Sequence, residues 1–269
     1  MKAGESTKIS LFIDTGHMFL DNRFDLWHTV REVMKMLLYI VRHGDPDYVT
    51  DTLTERGKLQ AEAVGRRIAD SKIDRIYSSP MGRARQTAEP ACRLLGLEYQ
   101  IEEWTHEIQD ERLTPFPDGV RKSVSLVQNT YYRENGNMDL GYERALECPG
   151  FRQSNMKSAL RYIEQNGNDF LERLGYKEEN GVYRILKKNE EKVALFCHAA
   201  FSRAWLSILL HIPVNMMWAS FAYTHTGVTI LEFKNNDNGI TAPKCLCFSD
   251  MSHLYAAKLD MVYDNMIEL

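Results

Sequence analysis

The sequence predicts an α/β fold, a three-layer α/β/α sandwich with a mostly parallel central sheet. Three observations carry that reading. Apolar runs of strand length recur, as in Leu37–Val41 and in the stretches "KIDRIYSSP" and "EKVALFC". Segments with helically spaced apolar residues lie between them. The connections are short, so crossovers place helices on both faces of the sheet.

Along the chain, the Leu37–Val41 strand stops at Arg42-His43-Gly44. A helix follows in "DTLTERGKLQAEAVGRRIADS", with Thr54 as N-cap and Leu59, Ala63 and Ile68 on its apolar face. The strand in "KIDRIYSSP" leads into a helix through "GRARQTAEPACRLLG", in which Pro90 predicts a kink or break and Gly96 the end. A short strand follows near Tyr99–Ile101. The regularity lapses between about residues 104 and 190, which hold the loop "TPFPDG", an amphipathic helix ended by Gly175 and a hairpin turning at Asn180-Gly181. An insertion of this length in an α/β core reads as a helical cap over a site. The core resumes with a strand, His198 and a helix. Two last strands, "GVTILEFK" and "KCLCFSD", pair through the Asn236–Gly239 turn. The expected organisation is an extension over 1–35 and one domain over 36–269, with the cap insertion at about 104–190.

Composition narrows the function classes. The 269 residues are 44% hydrophobic and 26% charged, with net charge −4, an ordinary globular balance that offers no electrostatic reason for a nucleic-acid or membrane partner. No apolar run approaches the ~20 residues that span a bilayer. Asp14, Gly16 and His17 interrupt the N-terminal apolar stretch, so it does not read as a signal peptide. Five cysteines without a CxxC pair suit a reducing cytoplasm and indicate neither disulfides nor structural zinc.

Two histidines share one context. His43 and His198 each follow an apolar strand, where the chain turns through small residues. Ligands of open parallel sheets bind outside such strand ends, and helix N-termini there suit a phosphate. Arg42, Arg83 and Arg85 add cations able to grip phosphate oxygens, at roughly 1.5–3 kcal/mol for each charge-assisted hydrogen bond.

With these residues in place, the sequence resembles the histidine phosphatase superfamily, which has the phosphoglycerate mutase-like fold. The matching pieces are "YIVRHG", "LTERGKLQA", "IYSSPMGRARQTA", "ALFCHAAFSRAWL" and "TGVTILEF", in the family's order. The resemblance implies that His43 is a nucleophile that becomes phosphohistidine, and that a backbone carbonyl holds its other ring nitrogen. Arg42, Arg83 and His198 would bind the transferred phosphoryl group, with Arg83 preferred to Arg85. Glu107 would be the proton donor, and Glu103 the runner-up. An alkoxide leaves poorly, so a carboxylic acid must protonate it, and fixed cations meet the phosphoryl charge without a metal. The expectation is a metal-independent phosphatase that takes a small phosphorylated substrate and needs no cofactor. The alternatives are a phosphoglycerate mutase-like transferase and a catalytically silent member that binds phospho-ligands or proteins.

The chain departs from the family pattern in three places. Asp45-Pro46-Asp47-Tyr48 stands where an asparagine often touches the phosphate, and Ala199-Ala200 replaces paired glycines. After Glu107 the frequent Gly-x-Trp-Glu-Gly pattern is missing. His106, His211, His225 and His253 lack a repeated context and read as structural. Trp104, Trp205 and Trp218 read as packing residues, and Arg85 as a helix-surface residue. Pro46, between Asp45 and Asp47, argues against a metal cluster there.

Overall fold

The computed structural model describes residues 34–108, 144–152 and 154–263. The expected extension, up to residue 33, and the "TPFPDG" loop lie outside these residues. The strands are β1 (Lys35–Arg42), β2 (Pro46–Asp47), β3 (Thr52–Leu53), β4 (Arg75–Ser78), β5 (Tyr99–Ile101), β6 (Tyr176–Glu179), β7 (Val182–Ile185), β8 (Lys192–Cys197), β9 (Val228–Lys234), β10 (Ile240–Thr241) and β11 (Lys244–Asp250). The helices are α1 (Glu55–Asp70), α2 (Gly82–Leu95), α3 (Pro149–Arg152), α4 (Met156–Arg173), α5 (Ala199–Leu209), α6 (Val214–Ser220) and α7 (Ser252–Ala256).

The main sheet has the order β11-β9-β1-β8-β4-β5. Strands β1, β8, β4 and β5 run parallel, while at one side β9 pairs antiparallel with β1 and β11 antiparallel with β9. Side-chain alternation along each strand builds the layers. Met36, Leu38 and Ile40 of β1 and Leu195 of β8 face a core shared with α4 and α5. Tyr39, Val41, Ala194 and Phe196 face the opposite core, against Val64, Ile68, Ala88 and Ala91 of α1 and α2. Trp104, Trp205 and Trp218 all lie in the first core.

Local sequence explains the element ends. The Thr54 hydroxyl accepts the Gly57 N–H and caps α1. Gly96, in the left-handed region at φ 66°, ends α2. The β6–β7 hairpin turns through Asn180 and Gly181, both at positive φ.

The structure corrects three readings. Pro90 neither ends nor divides α2, which runs on to Leu95. Its ring meets Gly65 of α1, so it serves as a packing surface between the two helices. Leu59 is 57% exposed; the buried face of α1 is formed by Gln60, Ala61, Val64 and Ile68 instead. The helix and hairpin over 156–185 were expected inside the cap. They pack into the main core, where Met156, Ile163, Phe170, Leu171 and Tyr183 are almost wholly buried. The apolar face of α4 is needed to complete one helical layer.

Candidate active site

Strand register brings the two histidines together. In the parallel β1–β8 pair Arg42 stands opposite Cys197, so the residues that follow, His43 and His198, are neighbours. The His43 N–H donates to the Cys197 carbonyl at 2.9 Å, and the two rings lie 5.2 Å apart. On the other side of β8, Ser78 pairs with Phe196, and the Ser79 hydroxyl meets His198 Nε2 at 2.8 Å. The chain leaves β1 toward β4 and leaves β8 toward β9, in opposite directions across the sheet. That divergence opens a crevice at the carboxyl ends of β1 and β8.

Backbone contacts fix the orientation of His43. Its Nδ1–H donates to the Gly44 carbonyl at 2.7 Å, which leaves the lone pair on Nε2. Gly44 is itself held, because its N–H donates to the Thr87 hydroxyl at 3.0 Å and that hydroxyl donates to the Arg83 carbonyl. A Cβ on Gly44 would come within 2.8 Å of the Gly57 carbonyl, and one on Gly57 would overlap the Asp45 carbonyl. The glycines of "RHG" and "TERG" therefore serve one close backbone approach. Buried Gln60 accepts the Asp45 N–H at 2.8 Å.

Burial is the main cause that holds both imidazoles well below the ordinary histidine range. His198, Arg42 and Arg83 add to it for His43, and Arg83, His106 and Arg42 for His198. Both rings are therefore neutral near pH 7. Arg42 donates to the Tyr223 carbonyl; burial lowers it to about 10, still a cation at neutral pH. Arg83 is 5% exposed and ion-paired with Asp51.

Glu107 reaches the first turn of α5, directly after His198. Its Oε1 accepts the Phe201 and Ile108 N–H groups, each at 3.0 Å, and its Oε2 accepts the Ala200 N–H at 3.4 Å. The Ala200 and Phe201 N–H groups are among those that a helix start leaves without an internal partner. Arg42, His43, Arg83, Glu107 and His198 thus converge, whereas Glu103 and Arg85 are exposed.

Two histidines read as structural belong to this site. His225 is 8% exposed, with its ring 5.7 Å from His43 and its Nδ1 3.5 Å from Asp45 Oδ1. His106 is 3% exposed, donates Nδ1–H to the Glu107 carbonyl at 2.6 Å and lies in the field of His198. His253 is a support: its Nε2–H donates to the Thr226 hydroxyl, which donates to the His225 carbonyl. Asp45 accepts from Thr54, and Asp47 from Val49 and Thr50. Among the described residues no group of three or more His, Cys, Asp or Glu side chains is placed to hold a metal ion.

The family model of the histidine phosphatase superfamily, branch 1, matches residues 38–114 and 152–245, more than half of the chain. The chain belongs to the histidine phosphatase superfamily. A probable phosphoglycerate mutase of Photorhabdus laumondii is 32% identical over 80 residues, which are 26% of this chain and 37% of that protein. Phosphoserine phosphatase 1 of Hydrogenobacter thermophilus is 22% identical over 221 residues, 78% of this chain and 92% of that one. The first curated relatives are matched over only 37% to 60% of their own length.

A phosphoserine phosphatase of Entamoeba histolytica, solved with phosphoserine, superposes with a TM-score of 0.54 at 24% identity, covering 81% of this chain and 99% of that one. A mycobacterial glucosyl-3-phosphoglycerate phosphatase gives 0.53 at 19%, covering 79% and 98%. The fold is thus the phosphoglycerate mutase-like α/β fold. No helix among the described residues is long and apolar enough to cross a membrane.

Proposed function

We propose that this chain is a cytoplasmic, metal-independent phosphatase that hydrolyses small phosphomonoesters through a phosphohistidine on His43. Residues 36–269 form the catalytic domain on this reading, and 1–35 an extension to it. The observation that carries the proposal is the Nδ1–H bond from His43 to the Gly44 carbonyl, which leaves Nε2 as a free lone pair among buried cations.

In the first step Nε2 attacks phosphorus in line with the ester oxygen. The N–P bond forms as the P–O bond breaks, and the Glu107 carboxylic acid gives its proton to the departing alkoxide. Arg42, Arg83 and His198 hold the equatorial oxygens, where the charge resides in the transition state. Water then attacks the phosphohistidine and loses its proton to the Glu107 carboxylate. Phosphate leaves, and His43 and Glu107 return to their starting states. General acid help of this kind contributes about 10²–10⁴-fold. Relatives solved with phosphoserine and with 3-phosphoglyceric acid support a small phosphorylated acid as the substrate.

Turnover of radiolabelled substrate quenched at alkaline pH tests the proposal. A labelled phosphate should be recovered on His43, and His43→Ala should lose both label and turnover. His198→Ala should keep slow residual chemistry, and a chelator should leave the rate unchanged. Full turnover by His43→Ala, or loss of activity on chelation, refutes the mechanism in favour of a metal-activated water.

A further inference from the structure

The loop that joins β2 and β3 places a phenol beside both phosphate-binding arginines. The Tyr48 ring lies 5.4 Å from the Arg83 guanidinium carbon, and its phenol is an electrostatic neighbour of the Arg42 guanidinium. Both guanidinium groups have only donors, so toward either of them the phenol oxygen can only accept and its own hydrogen stays available. Neither guanidinium can accept that hydrogen. The group that suits it is an anion held between the two arginines.

The loop is built to keep the phenol there. Pro46 pairs with Leu53 and Asp47 with Thr52, while Asp47 accepts from the Val49 N–H and the Thr50 hydroxyl, each at 2.9 Å. Asp51 adopts positive φ (53°), an unusual conformation for a residue other than glycine. Its carboxylate takes the Gly82 N–H at 2.7 Å and pairs with Arg83, which ties the loop to the start of α2. Gln86 of α2 accepts the Leu53 N–H at 2.7 Å. Tyr48 is 50% exposed and belongs to none of the described hydrophobic clusters, so core packing does not account for it.

We propose that Tyr48 is a phosphoryl-binding residue, whose hydroxyl donates to a non-bridging oxygen of the phosphate gripped by Arg42 and Arg83. The inference rests on the phosphatase reading, in which those arginines bind the phosphoryl group. Cations beside the phenol polarise its O–H and strengthen it as a donor. The ring meanwhile shields one side of Arg83 from water.

Tyr48→Phe removes the donor and keeps the ring over Arg83. With nitrophenyl phosphate as substrate, the inhibition constant of inorganic phosphate should rise roughly tenfold, and kcat/KM should fall by a similar factor, as expected for a hydrogen bond to a charged group. Thermal melting should not change. Values within twofold of the parent overturn the inference. The same comparison by calorimetry in the His43→Ala background separates the two readings. A tenfold loss of phosphate affinity there supports the Tyr48 contact even if His43→Ala turns over substrate, which would sink the phosphohistidine step alone. Unchanged affinity there overturns the contact whatever His43 does.

Discussion

Acidification from pH 7 to pH 5 should remove much of the folding free energy, because the site is lined with neutral, buried imidazoles. His43, His198, His225 and His253 are 2%, 0%, 8% and 6% exposed. All four are held below the ordinary value of 6.5, with burial as the largest cause: His43 and His198 well below it, His225 at about 2 and His253 at about 4. Arg42 and Arg56 face His225, and Arg67 faces His253 with Asp250 in partial opposition. In the unfolded chain each imidazole takes a proton below about pH 6.5, while the folded chain refuses it. The unfolded state then binds more protons, so stability is complete above pH 6.5 and falls as the pH drops. Each group contributes a slope of up to ~1.4 kcal/mol per pH unit. By pH 5 that is at most about 2 kcal/mol for each histidine. For His253 the loss levels off near pH 4, after about 3 kcal/mol. The four together set an upper bound of ~8 kcal/mol at pH 5, against the 5–15 kcal/mol typical of a domain. Urea unfolding followed by circular dichroism at half-unit steps from pH 7.5 to 5 measures the slope. Between pH 6 and 5 it should be about 3–5 kcal/mol per unit, equivalent to two to four protons. A slope below ~1.4 kcal/mol per unit, less than one proton, would mean that the imidazoles are charged in the folded state and would refute the neutral site.

Three further outcomes follow from particular contacts. Glu107→Gln should slow alkyl phosphates by about 10²-fold or more and nitrophenyl phosphate by less than ~10-fold, because an aryl oxide leaves without full protonation; equal losses would move the acid elsewhere, Glu103 being the next to test. Gly57→Ala should destabilise by about 1–3 kcal/mol and reduce turnover, since its Cβ would drive the Asp45 carbonyl away from the nucleophile's turn; unchanged melting and rate would refute that close approach. A chain begun at Met34 should fold with full activity, because the Met34 carbonyl accepts the Asn235 N–H at 2.9 Å and Lys35 pairs with Glu232 at 3.0 Å. A chain begun at Met36 lacks both contacts and should melt a few degrees lower; aggregation of the Met34 chain, or a large loss of its turnover, would show that residues 1–33 complete the fold.

How much was legible depended on whether a residue's role is written in its own neighbourhood. His43 and His198 were readable because each ends an apolar strand, and parallel register turns matched positions into a contact. Thr54, Gly96 and the Asn180-Gly181 turn were readable because capping and positive φ are local requirements. His225 was missed for a geometric reason. It precedes an apolar strand, a position that carries no signal until β9 is known to run antiparallel to β1. The beginning of β9 then lies at the same end of the sheet as the end of β1. A histidine before "TGVTILEF" was the available clue. Tyr48 was not readable, because its two arginine contacts depend on a turn fixed by Asp51 against α2. The faces of α1 were misjudged at Leu59, where small residues and Gln60 form the buried stripe that lets α1 approach the site closely.

The same features that cost stability in acid prepare the proposed chemistry. Desolvation and the nearby guanidinium groups disfavour a proton on His43, so the attacking nitrogen carries its lone pair before substrate arrives. No general base is then required for the first step. That step needs one proton movement, at the leaving oxygen, and Glu107, the proposed acid, is held by the first turn of α5. His43 and Glu107 can divide nucleophile and acid between them because each is fixed by backbone. The Gly44 carbonyl sets which nitrogen attacks, and the helix N–H groups set where the carboxyl group waits. A phosphate bound between Arg42 and Arg83 would bring negative charge next to His43 and His198 and raise the proton affinity of both rings. Turnover must therefore end with phosphate leaving, since a retained anion would favour the protonated imidazole that cannot attack again.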